Sequence, residues 1–143
     1  MLIGIDPILG PDLLHALRAM GHGDDIVIAD ANFPSQSIGR RVVRADDSDM
    51  PRLLAAILGV MPLDAIEPGA VTGMEVVGAP DQRAPAHGDV ERVLGARPGA
   101  RFRLELIERH AFYARARAAY VVVATGERRF YGNVILRKGT IPP

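Results

Sequence analysis

The run Ile26-Val-Ile-Ala29 constrains the fold of this chain more than any other stretch. It is apolar throughout and bounded by aspartates, Asp24-Asp25 before it and Asp30 after it. An apolar run without polar alternation is the pattern of a short strand covered on both faces of its sheet. Other elements must therefore pack above and below it.

The remaining sequence offers them in alternation. Pro11 to Met20 reads as a helix, with Pro11 in its first turn, Leu13, Leu14, Leu17 and Met20 on one stripe, and Gly21 at its stop. Ala31 to Gly39 reads as a loop, and Val42 and Val43 as a second short strand. Ser48 or Asp49 can cap a further helix that carries Pro51 in its first turn and buries Leu53, Leu54, Ile57 and Leu58. Val71 to Val77 predicts a strand, Ala79 to Gly88 a loop, and Asp89 to Leu94 a short helix. Phe102 to Ile107 alternates, with one face more apolar, and Arg109 to Ala118 predicts a helix carrying Phe112 and Tyr113. Tyr120 to Thr125 and Tyr131 to Arg137 are the clearest strands. Gly126 and the charged Glu127-Arg128-Arg129 between them predict an antiparallel hairpin. The expected fold is a single α/β domain over residues 1–143, with helices layered around a mixed β-sheet that ends in this hairpin.

Composition narrows the function classes. Apolar content of 48% and charged content of 24% fit an ordinary globular domain. Seventeen basic residues balance seventeen acidic ones, so no net field favours nucleic acid or a membrane, and neither is expected as a partner. The basic residues gathered in the C-terminal third read as solvated faces. The absence of cysteine excludes disulfides, thiolate metal sites and cysteine nucleophiles. It also suits a cytoplasmic protein. The opening Met-Leu-Ile-Gly-Ile-Asp-Pro lacks the basic start and apolar core of a signal peptide. Leu53 to Leu63, interrupted by Gly59 and Pro62, is too short to span a bilayer.

Several polar residues are candidates for chemistry. His22 stands between Gly21 and Gly23, directly before the apolar strand. It is either an ordinary loop histidine or, with a reference pKa near 6.5, a proton carrier at neutral pH. His15, His87 and His110 have no metal-ligand spacing and read as surface residues. Asp30 ends the strand where open α/β sheets place ligand contacts, although a turn-forming aspartate fits equally well. Asp24 and Asp25 read as solvated. Tyr131-Gly132-Asn133 opens the last predicted strand, so Tyr131 and Asn133 should share a face and offer donors and acceptors to sugar hydroxyls. Gly132 between them would let a ligand approach the backbone. A packing tyrosine followed by a turn asparagine is the plainer alternative. No dinucleotide fingerprint, phosphate loop or nucleophile elbow is present, which argues against nucleotide-dependent and serine-hydrolase chemistry. No metal and no cofactor is expected.

Together these pieces resemble the fucose mutarotase and ribose pyranase family. Met20-Gly-His22-Gly-Asp with Asp30-Ala-Asn-Phe-Pro34 is one anchor. Thr125-Gly-Glu-Arg-Arg-Phe-Tyr131-Gly-Asn133-Val-Ile-Leu-Arg-Lys-Gly139 is the other. The likeness covers most of the chain, including Arg109-His-Ala-Phe-Tyr113, and is weakest between Ala79 and Arg101. The resemblance implies His22 as catalytic acid/base, with Asp30, Arg109, Tyr131, Gly132 and Asn133 at the sugar. Acid/base chemistry on a sugar then suggests that His22 shuttles the proton while Asp30 orients it or holds a hydroxyl. Ribose-type members carry histidine at the position of Arg109 and a Tyr-Ala-Asn triplet. Arg109, Tyr131-Gly-Asn133 and Asp30-Ala-Asn-Phe-Pro34 favour the fucose branch, with Asn32 standing where the family often has histidine. The implied activity is interconversion of α and β anomers of a free monosaccharide, L-fucose foremost. Ribose pyranose–furanose exchange and a non-catalytic sugar-binding module are the competing readings. Ring-like homo-oligomers, commonly decamers with sites near subunit contacts, are also implied.

Overall fold

The computed structural model describes residues 1–97 and 101–143. Along the chain lie α1 (Pro11–Ala19), β1 (Asp25–Ala29), α2 (Ser35–Ile38), β2 (Val42–Ala45), α3 (Met50–Val60) and β3 (Val71–Met74). They are followed by α4 (Pro85–Gly95), β4 (Glu105–Ile107), α5 (Arg109–Ala118), β5 (Val121–Thr125) and β6 (Val134–Arg137). The strands form one six-stranded sheet in the order β2-β5-β1-β6-β3-β4.

β1 lies inside this sheet, parallel to β5 and antiparallel to β6, with Val27 opposite both Val122 and Ile135. Ile26 to Ala29 are fully buried. Ile26 and Ile28 face the larger core, built with Leu13 and Leu17 of α1, Leu53, Leu54 and Ile57 of α3, and Val90 and Leu94 of α4. Val27 and Ala29 face the opposite layer, where Phe112 and Ala116 of α5 meet Phe33, Met74 and Ile135. The two-sided cover that the apolar run demanded is present. α3 starts where Asp49 accepts the Arg52 N–H at 2.9 Å, and α1 ends under Lys138, whose Nζ donates to the Leu17 carbonyl at 2.7 Å.

The mixed α/β sheet matches expectation, but β5 and β6 do not form a hairpin. β1 lies between them, and β6 pairs antiparallel with β1 and β3. Residues 126–133 instead cross the C-terminal end of β1. They are fastened there by the Ala31 N–H donating to the Glu127 carbonyl at 2.8 Å and by Thr125 Oγ1 donating to the Ala29 carbonyl at 2.8 Å. β6 accordingly begins at Val134, and Tyr131 sits in a left-handed turn at φ 61° rather than on a strand. Other boundaries shift less. β3 stops at Met74, the 31–39 loop contains α2, and α4 begins at Pro85 because the proline fits a first helical turn.

Two solvated assignments are also overturned. Asp25 makes a bidentate ion pair with Arg115, at 2.7 and 2.8 Å, and Arg115 donates further to Thr72 Oγ1 and the Gly69 carbonyl. His87 is 1% exposed, drawn inward by its place in the first turn of α4.

Candidate active site

The crossing of residues 126–133 over β1 brings Asp30 and Asn133 together. Asp30 is buried. Its N–H donates to Asn133 Oδ1 at 2.8 Å, while Asn133 Nδ2 donates to Asp30 Oδ2 at 2.8 Å. The Asn32 N–H reaches Asp30 Oδ1 at 2.9 Å. Burial still prevails, and it pushes the Asp30 carboxyl above the usual carboxylate range despite these donors. The negative charge of Glu127 acts in the same direction.

Tyr131 and Gly132 form the turn that makes this pairing possible. The Tyr131 hydroxyl accepts the Val77 N–H at 3.0 Å, which leaves its own proton free to donate outward. A Cβ on Gly132 would lie 2.5 Å from Glu127 Cγ and 3.1 Å from the Arg129 carbonyl oxygen. Internal packing alone is therefore enough to require the glycine. Glu127 is itself buried and clamped by Arg129 at 2.8 and 2.9 Å. That clamp holds its carboxyl at about 2. Arg129 also donates to Asp89 of α4 at 2.6 Å, tying the crossing segment to that helix.

A cavity of about 370 Å³ opens over this framework. Asp30, Asn133, Tyr131 and Arg109, the first residue of α5, all line it. Sequence reasoning did not assign Tyr113 and Phe130, which give the cavity aromatic walls. Tyr113 stands one helical turn after Arg109, so the i, i+4 spacing was the available signal. Phe130 is 75% exposed, an apolar ring at the rim that a buried strand position would not display. The size lies at the lower end of the ~300–1,000 Å³ typical of small-molecule pockets. Gly132 supports the cavity from behind without lining it. Among the described residues, no group of three or more His, Asp or Glu side chains could hold a metal ion.

His22 lies elsewhere. It precedes β1 while Asp30 follows it, and the four peptide steps of β1 alone cover about 13 Å at the ~3.3 Å rise of a strand. Within one chain Asp30 therefore cannot orient His22. The partner of His22 is Asp64, whose Oδ1 lies 3.5 Å from His22 Nε2. The Asp64 side chain is 2% exposed, whereas that of His22 is 46% exposed. The Ile66 N–H, at 3.0 Å, holds the Asp64 carboxyl below the usual range, and His22 adds to that effect. Asp64 escaped sequence reasoning because it stands alone in the segment after α3, with no motif around it.

A buried carboxylate–amide pair, an outward tyrosine hydroxyl and an arginine, set among aromatic walls on an α/β sheet, define a pocket for a small polyhydroxylated molecule. The chain belongs to the RbsD / FucU transport protein family, which matches residues 3–141. It is 45% identical to the fucose mutarotase of Homo sapiens, over 98% of this chain and 94% of that protein. The crystal structure of the fucose mutarotase from Streptococcus pneumoniae in complex with L-fucose is 38% identical. It superposes with a TM-score of 0.89 and covers 99% of this chain and 100% of that one. Bacillus subtilis RbsD, complexed with D-ribose, shares the fold at a TM-score of 0.74 and 22% identity, covering 99% of this chain and 100% of that one.

Proposed function

We propose that this protein interconverts the α and β anomers of L-fucose. The observation that carries the reading is the convergence of Asp30, Arg109, Tyr131 and Asn133 on one cavity of monosaccharide scale. Fucose mutarotases at 38–45% identity over nearly the whole chain support the choice of sugar, whereas the ribose-bound relative is much more distant.

In this reading the anomeric hydroxyl loses its proton to a base, the ring oxygen gains one, and the bond between C1 and the ring oxygen breaks. Rotation about the C1–C2 bond of the open aldehyde presents its other face, and the reverse transfers close the ring. His22 carries the proton. Within its own chain Asp64 orients it, because a buried carboxylate beside Nε2 favours the proton on that nitrogen and leaves Nδ1 free. Asp30 and Asn133 hold ring hydroxyls, Tyr131 donates to one, and Arg109 closes the rim. Because β1 separates His22 from this pocket, the histidine that serves a given cavity comes from a second copy of the chain. A homo-oligomer, ring-like and decameric in the family pattern, would supply that arrangement. A cytoplasmic setting fits the absence of cysteine. Among the described residues no helix is long and apolar enough to cross a membrane.

The test is saturation transfer between anomeric protons of L-fucose, D-ribose, galactose and glucose, with and without protein. Accelerated exchange of fucose is expected. Binding without acceleration of any sugar would leave a non-catalytic binding module, and acceleration confined to ribose would move the protein to the pyranase reading.

A further inference from the structure

His87 is the one histidine of the described residues that is fully buried, and the reaction outlined above does not use it. Its Nδ1 accepts the Ala84 N–H at 3.1 Å, satisfying a free donor at the start of α4. Nε2 therefore carries the proton. Among the described residues it makes no hydrogen bond of normal geometry, only a weak approach to the Met74 backbone. Burial, reinforced by Arg83, pushes the imidazole below the ordinary histidine range and so favours its neutral form. A second proton would turn the Nδ1 acceptor into a donor facing the Ala84 N–H and put a positive charge at a helix N-terminus. A buried polar atom without a full partner is costly, so packing must hold the ring in place.

What the ring touches is Tyr131. The two ring centroids lie 6.2 Å apart at an interplanar angle of 56°, within the range of favourable aromatic pairs. Tyr131 is the only described non-glycine residue with positive φ, a conformation that its surroundings must impose. Its ring packs partly against the core layer of Phe33, Met74 and Ile135, and two further contacts restrain it, the Val77 N–H on its hydroxyl and the tilted His87 ring beside it. Two residues further along α4, Asp89 grips Arg129 of the same crossing segment.

We propose that His87 is a positioning residue that fixes the ring of Tyr131, and thereby sets the affinity of the pocket for its sugar. The inference rests on reading Tyr131 as a sugar contact. It assigns α4, which contributes nothing to the cavity lining, a part in substrate binding.

Two variants separate the roles of the histidine. His87→Asn keeps an acceptor for the Ala84 N–H but removes the ring. His87→Phe keeps a ring against Tyr131 but removes the acceptor. Each is made in protein carrying 3-fluorotyrosine, where Tyr131 is one of three tyrosines, and its ¹⁹F resonance is assigned through Tyr131→Phe. His87→Asn should broaden or shift the Tyr131 resonance and raise KM for L-fucose about 3–10-fold at nearly constant kcat, the scale of a lost aromatic pair. His87→Phe should lower the melting temperature while the resonance and KM stay near those of the parent. An unmoved resonance in His87→Asn overturns the positioning role, as does a KM that rises in His87→Phe in step with lost stability. A moved resonance with unchanged KM would instead overturn the reading of Tyr131 as a sugar contact, and with it the link to affinity.

Discussion

Asn133 and Asp30 exchange hydrogen bonds in both directions, Asp30 N–H to Asn133 Oδ1 and Asn133 Nδ2 to Asp30 Oδ2, each at 2.8 Å. The pair joins the end of β1 to the start of β6 and fixes the carboxylate on the cavity floor. Asn133→Ala strands a buried N–H and takes one donor from a buried carboxylate. Each unsatisfied group costs about 1–3 kcal/mol, so urea unfolding should show a loss in that range or above. Fucose binding, followed by calorimetry, should weaken in parallel. A variant of parental stability would mean that water replaces the amide.

Gly132→Ala tests the packing explanation for the triplet. The new methyl would press on Glu127 Cγ and the Arg129 carbonyl, one a clamped side chain and the other backbone. Overpacking of this kind costs roughly 1–3 kcal/mol. The melting temperature should fall, and KM for fucose should rise as Tyr131 and Asn133 move apart. If stability is unchanged and only KM rises, ligand approach rather than packing explains the glycine.

Glu127 gives the fold an acid-sensitive joint. Arg129 pulls its carboxyl from the ordinary 4.5 to about 2, so the folded state binds this proton less readily than the unfolded chain does. Its contribution is therefore complete above about pH 4.5 and drains away as the pH falls toward about 2. Urea midpoints measured across that window should decline less steeply in Glu127→Gln than in the parent. Equal slopes would assign the acid loss to other groups.

His22→Ala should leave the fold intact and slow anomer exchange by about 10²-fold or more, the scale of a lost general acid/base group. Mixing provides the sharper measurement. A cavity variant such as Tyr131→Phe, whose own exchange is also impaired, is co-assembled with His22→Ala. Exchange in the mixture should exceed that of both variants, because some sites combine an intact histidine with an intact cavity. No recovery in verified mixed assemblies would place proton carrier and pocket in the same chain.

The elements legible from sequence were those whose local signals agree with their tertiary setting. The apolar run of β1 marked a strand buried on both faces, and α5 runs from Arg109 to Ala118 as its pattern indicated. Pro51 and Asp49 gave the start of α3 for the same reason. The supposed hairpin failed because two valine-rich strands close in sequence carry no information about a third strand inserted between them. Tyr131 and Asn133 do line one cavity, but not through the shared strand face that the sequence pattern predicts; a left-handed turn at Tyr131 delivers them instead. Asp25, Asp64 and His87 were misjudged or missed because polar residues are usually outside, and only the folded chain supplies the partners that allow them inside.

The length of β1 carries a consequence for how this protein would behave on dilution. Under the proposed reading, with His22 carrying the proton at one end of the strand and the cavity at the other, an isolated copy would bind sugar without turning it over. Specific activity would then report the state of assembly, falling at protein concentrations where circular dichroism still reads as fully native.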